Sequence, residues 1–202
     1  MDIVIASSNT HKIREFRQMF RGLSHIDIYS LRDFPDYQEA EETGETFEEN
    51  AKAKASNAAK KLKKIVISDD SGLVVPKLGG APGVYSRRYA GVDATDADNR
   101  KKLLKDLEGM HELDRSAYFE CCIAVASEDW VKTFTGRCEG EILKEEKGSY
   151  GFGYDSLFRK YGYEQTFAEL EESIKNKVSH RAKAFEKLKM FLESLKSLRS
   201  ES

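Results

Sequence analysis

The chain has 202 residues, 40% hydrophobic and 34% charged, with a formal net charge of −2. That describes a water-facing globular protein, one domain by length with room for two lobes. It excludes a polycationic nucleic-acid binder and a protein drawn to membranes by charge, so any anion site must be local.

The opening "MDIVIASSN" has no basic start and no long apolar stretch, so no secretory leader is expected. No run approaches the ~18 apolar residues of a membrane span. Residues 2–6, "DIVIA", read as a buried strand. In "IASSNTHK", 5–12, that strand runs through small polar residues into a helix carrying Lys12. The N–H groups of a helix start, with the dipole behind them, suit a phosphate. An ordinary N-cap by Ser or Asn accounts for the same residues. Ile13, Phe16 and Phe20 mark one helical face. Residues 26–29 read as a strand and 31–45 as a loop.

"EAEETGETFEEN", 39–50, crowds Glu39, Glu41, Glu42, Glu45, Glu48 and Glu49 at a helix start. Most suit solvated surface; one of them could complete a Mg²⁺ site with Asp70. Residues 46–64 are predicted helical, with a stripe of Phe47, Ala51, Ala55, Ala58 and Leu62 and a Thr46/Glu49 capping box. "KIVIS", 64–68, is the next strand. Asp69, Asp70, Ser71 and Gly72 follow it, which puts two acids at a strand's C-terminal end, where α/β sheets hold ligands. A turn explains the same residues.

Residues 77–91 form a Gly/Pro-punctuated loop. Residues 96–108 are predicted helical with Asp96 as cap. Residues 116–128 and 130–142 read as two long strands joined at Glu128-Asp129. Cys121, Cys122 and Cys138 form no CxxC pair, so reduced, partly buried thiols and a cytoplasmic protein are expected. "GSYGFGYD", 148–155, is a Gly-rich loop whose aromatics suit base stacking or pin the loop from within. In "IKNKVSHRAKAF", 174–185, His180 and Arg181 place positive charge at a helix start, against the macrodipole, with Lys175 and Lys177 just before. With no local compensation, an anionic or carbonyl-rich ligand is expected there. The helix runs over 179–198 with Ala182, Phe185, Leu188, Leu192 and Leu195 inward, and 199–202 are read as a frayed tail. Early alternation of strand and helix followed by a hairpin predicts an α/β fold with a mixed sheet.

Seven stretches in order, "SSNTHKIREF", "EETGETFEENAKAKA", "SDDSGL", "GGAPGVYSRRYAG", "AYFEC", "GSYGFGYDSLF" and "IKNKVSHRAKAF", resemble the Ham1-like nucleoside triphosphate pyrophosphatases, the inosine triphosphatase family. The resemblance covers residues 7–185. It implies an elongated two-lobed α/β fold around a long mixed sheet, an active site in the cleft, a homodimer, and Mg²⁺-dependent hydrolysis of ITP, dITP and XTP to monophosphate and pyrophosphate. By motif, Ser7, Ser8, Asn9, Thr10, His11 and Lys12 would bind substrate, with Ser7, Asn9 and Lys12 on the phosphates. Glu42 and Asp70 would hold the metal, and Asp70 would act as general base. Ser71 would contact substrate. Phe152, Gly153, Tyr154, Asp155 and Lys175 would line the nucleotide pocket, and His180 and Arg181 would read the base. Two departures stand out: Ser8 where the family often has Gly, and Tyr154 where some members have Trp. The Maf-like pyrophosphatases are a same-fold alternative, against which the "SHR" helix start argues. A catalytically idle nucleotide-binding module is another.

Overall fold

The computed structural model describes residues 1–200 and the side chains of residues 1–195. Six strands, β1 (Asp2–Ile5), β2 (Asp27–Ser30), β3 (Ile65–Val74), β4 (Ser116–Ala126), β5 (Val131–Ile142) and β6 (Phe158–Lys160), form one sheet in the order β2-β1-β3-β4-β5-β6. β1 pairs in parallel with β2 and β3, and β5 pairs antiparallel with β6, so the sheet is mixed. The helices are α1 (Thr10–Phe20), α2 (Phe47–Leu62), α3 (Asp96–Asp106), α4 (Glu172–Val178) and α5 (His180–Ser200). Among the described residues no helix is long and apolar enough to cross a membrane.

The chain divides into two compact units. The first comprises Met1–Asp70, Cys121–Gly136 and the chain from Arg181; the second comprises Ser71–Glu120 and Arg137–His180. In the first unit, Ile3, Ile5 and Ile67 on the sheet pack with Ile13, Phe16 and Phe20 of α1 and Phe185, Leu188 and Leu192 of α5. Alternate strand residues point to opposite faces, so Val4 and Val66, also fully buried, lie off this cluster. α2 buries Ala51, Ala55, Ala58 and Ala59, side chains small enough for close approach of its backbone.

The second unit has its own core, including Leu73, Leu103, Leu107, Phe119, Ile142, Phe158 and Phe167. Arg115 is buried there and donates to the carbonyls of Leu107, Ile142 and Leu143. Asn99 of α3 holds the 83–90 loop by accepting from the Ala90 N–H and donating to the Arg87 carbonyl.

Several boundaries differ from the sequence expectation. β3 continues through Asp69 and Asp70 to Val74, so the acids lie within a strand rather than at its end. Leu73 and Val74 resume the apolar pattern, and pairing outweighs the poor strand preference of Asp, Ser and Gly. The cap of α3 is Thr95, in a capping box with Asp98, while Asp96 accepts from the Gly153 N–H. Thr46 caps α2 as expected, but Glu49 accepts from Glu45 N–H, one residue ahead of the cap. β6 was not expected. Of the tail 199–202, residues 199 and 200 belong to α5, and 201–202 lie outside the described residues.

Candidate active site

The strand pleat separates the two acids. Asp69 shares its parity with Ile65 and Ile67, so it points toward the α1 and α5 side; Asp70 shares parity with Val66 and points the other way. Their partners follow suit.

Asp69 is fully buried, and its Oδ2 accepts from Arg181 Nε and Nη2 at 3.2 and 3.0 Å. Lys12 Nζ is 3.1 Å from the same oxygen, and Cys121 Sγ lies at 3.7 Å. Arg181 is 1% exposed and also donates through Nη1 to Glu15. Burial alone would raise the Asp69 pKa; Lys12, Arg181 and Lys54 outweigh it and hold the carboxyl well below its ordinary range. Burial would likewise lower Arg181, but Asp69 and Glu15 keep it firmly charged. The positive charge that opens α5 therefore has its compensation inside the chain, 112 and 166 residues away in sequence. No partner is local, as expected, but the charge of Arg181 does not require a ligand to balance it.

Asp70 is buried beside α2, and its Oδ2 accepts from Asn50 Nδ2 at 3.0 Å. Asn50 Oδ1 accepts from the Gly44 N–H at 2.8 Å, which ties the loop carrying Glu42 to Asp70. A Cβ on Gly44 would come within 2.7 Å of Asn50 Oδ1, so this approach needs glycine. Lys54, itself buried, donates to Glu42 Oε1 at 2.6 Å and to the Asp69 carbonyl at 2.8 Å. Burial raises the Asp70 pKa and Glu42 adds to it; Lys54, Lys12 and Asn50 oppose this without cancelling it.

At the start of α1, Asn9 is the N-cap: its Oδ1 accepts from the His11 and Lys12 N–H groups at 2.9 and 3.3 Å. Ser7, buried, accepts from the Asn9 N–H at 3.2 Å, while Ser8, Thr10 and His11 are exposed. The helix start is thus capped in the ordinary way, and Lys12 turns inward to Asp69.

In the second unit, Lys175 Nζ is 2.6 Å from Asp155 Oδ2 and 5.0 Å from the centre of the Phe152 ring. Asp155 Oδ2 also accepts from the Phe152 N–H, and a Cβ on Gly151 would lie 2.1 Å from it. Tyr154 is 4% exposed and donates to the Ser86 carbonyl at 2.8 Å, so it pins the loop from within. Arg100 donates to the Gly153 carbonyl. Ser71 is half-buried. His180 is buried with its ring stacked on Phe119, 4.8 Å between centres.

With this geometry in place, comparison with known proteins is informative. The Ham1 family model matches residues 3–191. The chain belongs to the Ham1 family. It is 54% identical to a protein of Protochlamydia amoebophila named dITP/XTP pyrophosphatase, over 97% of this chain and 100% of that one. A protein of the same name from Chlamydia abortus is 55% identical over 96% of each chain. Solved structures of Ham1 proteins from Staphylococcus aureus and Coxiella burnetii superpose with TM-scores of 0.86 and 0.88, each at 42% identity and covering 96% of this chain and 99% of the other.

Three residues of this Ham1 chain escaped sequence reasoning: Glu15, Asn50 and Lys54. Asn50 and Lys54 had a legible signal, since they fall on the Phe47-Ala51-Ala55-Ala58 stripe at helical spacing. A polar side chain on a buried stripe needs a partner. Glu15 lies between Ile13 and Phe16 and is 5% exposed, but its partner Arg181 is too distant in sequence to be inferred.

Proposed function

We propose that this protein hydrolyses ITP, dITP and XTP to the corresponding monophosphate and pyrophosphate. The observation that carries the reading is Asp70: a buried carboxylate of raised pKa, fixed by Asn50 and accompanied by Glu42, in a chain more than half identical to proteins named dITP/XTP pyrophosphatase.

Asp70 orients a water and takes its proton as the oxygen attacks the α-phosphorus. A raised pKa makes it a better base than an ordinary aspartate. Asn50 sets the carboxylate's orientation. Lys12 exchanges Asp69 for substrate phosphate, and Ser7, Ser8, Asn9, Thr10 and His11 surround the phosphates at the start of α1. Once the Asn9 cap yields, the first-turn N–H groups can donate to the anion.

Glu42 and Asp70 fit a divalent cation. They repel each other, and Lys54 is already drawn to Glu42. Among the described residues no group of three or more His, Cys, Asp or Glu forms a protein cage. Two carboxylates completed by phosphates is the donor set Mg²⁺ takes. Bound there, Mg²⁺ would polarise a phosphoryl oxygen and offset the charge of the triphosphate.

For the base, Phe152, Gly153, Tyr154, Asp155, Ser71 and Lys175 form the nucleotide-binding group, and His180 and Arg181 select the 6-carbonyl. A carbonyl accepts where adenine's amino group would donate, so donors at that point favour hypoxanthine and xanthine. Asp69 and Glu15 engage three of the five N–H donors of Arg181 and fix the plane of its guanidinium. Three buried cysteines outside any disulfide are in keeping with a cytoplasmic setting. The homodimer is part of the same reading, and sedimentation tests it.

The decisive experiment is pyrophosphate release from a panel of nucleoside triphosphates with Mg²⁺. ITP, dITP and XTP should be turned over well ahead of ATP and GTP, and Asp70→Asn should lower the rate by ~10²-fold or more. Near-normal turnover by Asp70→Asn would sink the assignment.

A further inference from the structure

In the second unit, α3 holds the Gly-rich loop by contacts to which the proposed reaction gives no role. Gly151 and Gly153, at φ +79° and +61°, flank Phe152 in the left-handed region. A Cβ on Gly153 would meet nothing within 4 Å, so that glycine serves backbone conformation rather than room. With so permissive a residue on each side, the direction in which Phe152 projects depends on what holds the backbone around it.

Asp96 Oδ2 accepts from the Gly153 N–H at 2.7 Å. One helical turn further along α3, Arg100 Nη1 donates to the Gly153 carbonyl at 2.9 Å. Both peptide groups that meet at Gly153 are therefore fixed by side chains of one helix. Arg100 is itself braced: its Nε donates to Glu146 Oε2 at 2.8 Å, and that oxygen also accepts from Ser156 Oγ at 2.9 Å. Helix capping does not explain Asp96, since Thr95 and Asp98 form the capping box. Pairing along the helix surface does not explain Arg100, whose partners lie 46 and 53 residues away in sequence. All of these residues belong to one unit.

We propose that Asp96 and Arg100 are positioning residues for base binding: by gripping Gly153 they set the direction of the Phe152 ring, on which the purine stacks. This role rests on the reading of Phe152 to Asp155 as nucleotide-binding residues. A ring ordered before substrate arrives spares the binding step the cost of ordering it. Every base has a π-face, so stacking is tolerant of which base is bound. The grip therefore sets affinity for all purine triphosphates alike and leaves the choice among them to other residues.

Steady-state kinetics of Phe152→Ala, Asp96→Ala and Arg100→Met test this. Phe152→Ala should raise KM for ITP, XTP and ATP by a common factor of about fivefold or more, the loss of a stacked base. Asp96→Ala and Arg100→Met should each raise KM for the three by a common factor of about threefold or more, with kcat changed less. Both should keep the parent's dependence of KM on salt, because a stacked ring is not screened as charges are. Asp96→Asn should restore most of the parent KM. Its amide oxygen can still accept from Gly153, whereas any contribution of the Asp96 charge to the start of α3 is lost in Asn and Ala alike. Asp96 is exposed, so its variants decide the matter if Arg100→Met disturbs folding. The positioning role is overturned if Phe152→Ala raises KM while folded Asp96→Ala or Arg100→Met keeps the parent value, or if Asn and Ala at position 96 behave alike. If Phe152→Ala leaves KM unchanged, the nucleotide-binding reading of the loop falls, and the positioning role falls with it.

Discussion

Asp69 and Asp70 are neighbours in sequence with opposite electrostatic fates. Asp69 is pulled below its ordinary value near 3.8 by Lys12, Arg181 and Lys54 despite burial. A depressed carboxyl pKa contributes stability that is full above that value and lost as pH falls through the depressed one. Asp69→Asn leaves Arg181 and Lys12 short of a counter-charge, and breaking such a buried pair costs about 3–5 kcal/mol. Urea unfolding should show this deficit at neutral pH, narrowing only below about pH 4. Asp70 is raised, chiefly by burial, so its charge opposes folding at neutral pH. Asp70→Asn should therefore stabilise the protein at pH 7 while lowering kcat by ~10²-fold or more. That gain should shrink as pH falls through the raised pKa, where the native carboxyl is already neutral. If Asp70→Asn unfolds at lower urea than the parent, the burial cost has been misassigned.

Across elements, α2 does two jobs with one stripe. Its alanines are buried, and Asn50 and Lys54 on the same stripe carry polar groups to β3 and the 42–45 loop. Asn50→Ala removes the donor to Asp70 and the acceptor for Gly44 together. The Gly44 amide should then exchange with deuterium faster, and kcat should fall more than KM rises, because Asn50 positions Asp70 rather than substrate. Gly44→Ala should show the same pattern, since its Cβ would press on Asn50 Oδ1. Normal exchange and normal kcat in either variant would mean that the link is incidental. Much of this was legible. The stripe followed from helical spacing and the Thr46 cap from the Thr46/Glu49 pattern, while Glu42 was singled out among the loop acids only by the family resemblance. The course of β3 did not, because four residues, Asp69 to Gly72, lack strand character and only pairing carries the chain through them. Once β3 is known to continue, strand parity alone parts the two acids.

At the scale of the whole molecule, each unit is assembled from discontinuous segments, and the boundaries fall within β3, β4 and β5 and at the first residue of α5. A scan along the chain for linkers or shifts in composition has nothing to detect. The family motifs are insensitive to this division, because motif order does not depend on which unit a residue joins. Charge is distributed in the same local way. The chain's net charge of −2 gives no general attraction for a triphosphate. On the proposed reading attraction comes from groups such as Lys12, partly exposed at the start of α1, while His180 and Arg181 are buried. Salt screens exposed charge strongly, with a Debye length of about 10 Å at 0.1 M and 3 Å at 1 M, and buried groups far less. Raising ionic strength should therefore increase KM for ITP, XTP and ATP by the same factor, because all share the triphosphate, and leave the ITP/ATP ratio of kcat/KM unchanged. Lys12→Ala should raise KM for all three alike and flatten the salt dependence. A preference for ITP that collapses with salt would instead place base selection on exposed charge, and His180 and Arg181 would lose that role.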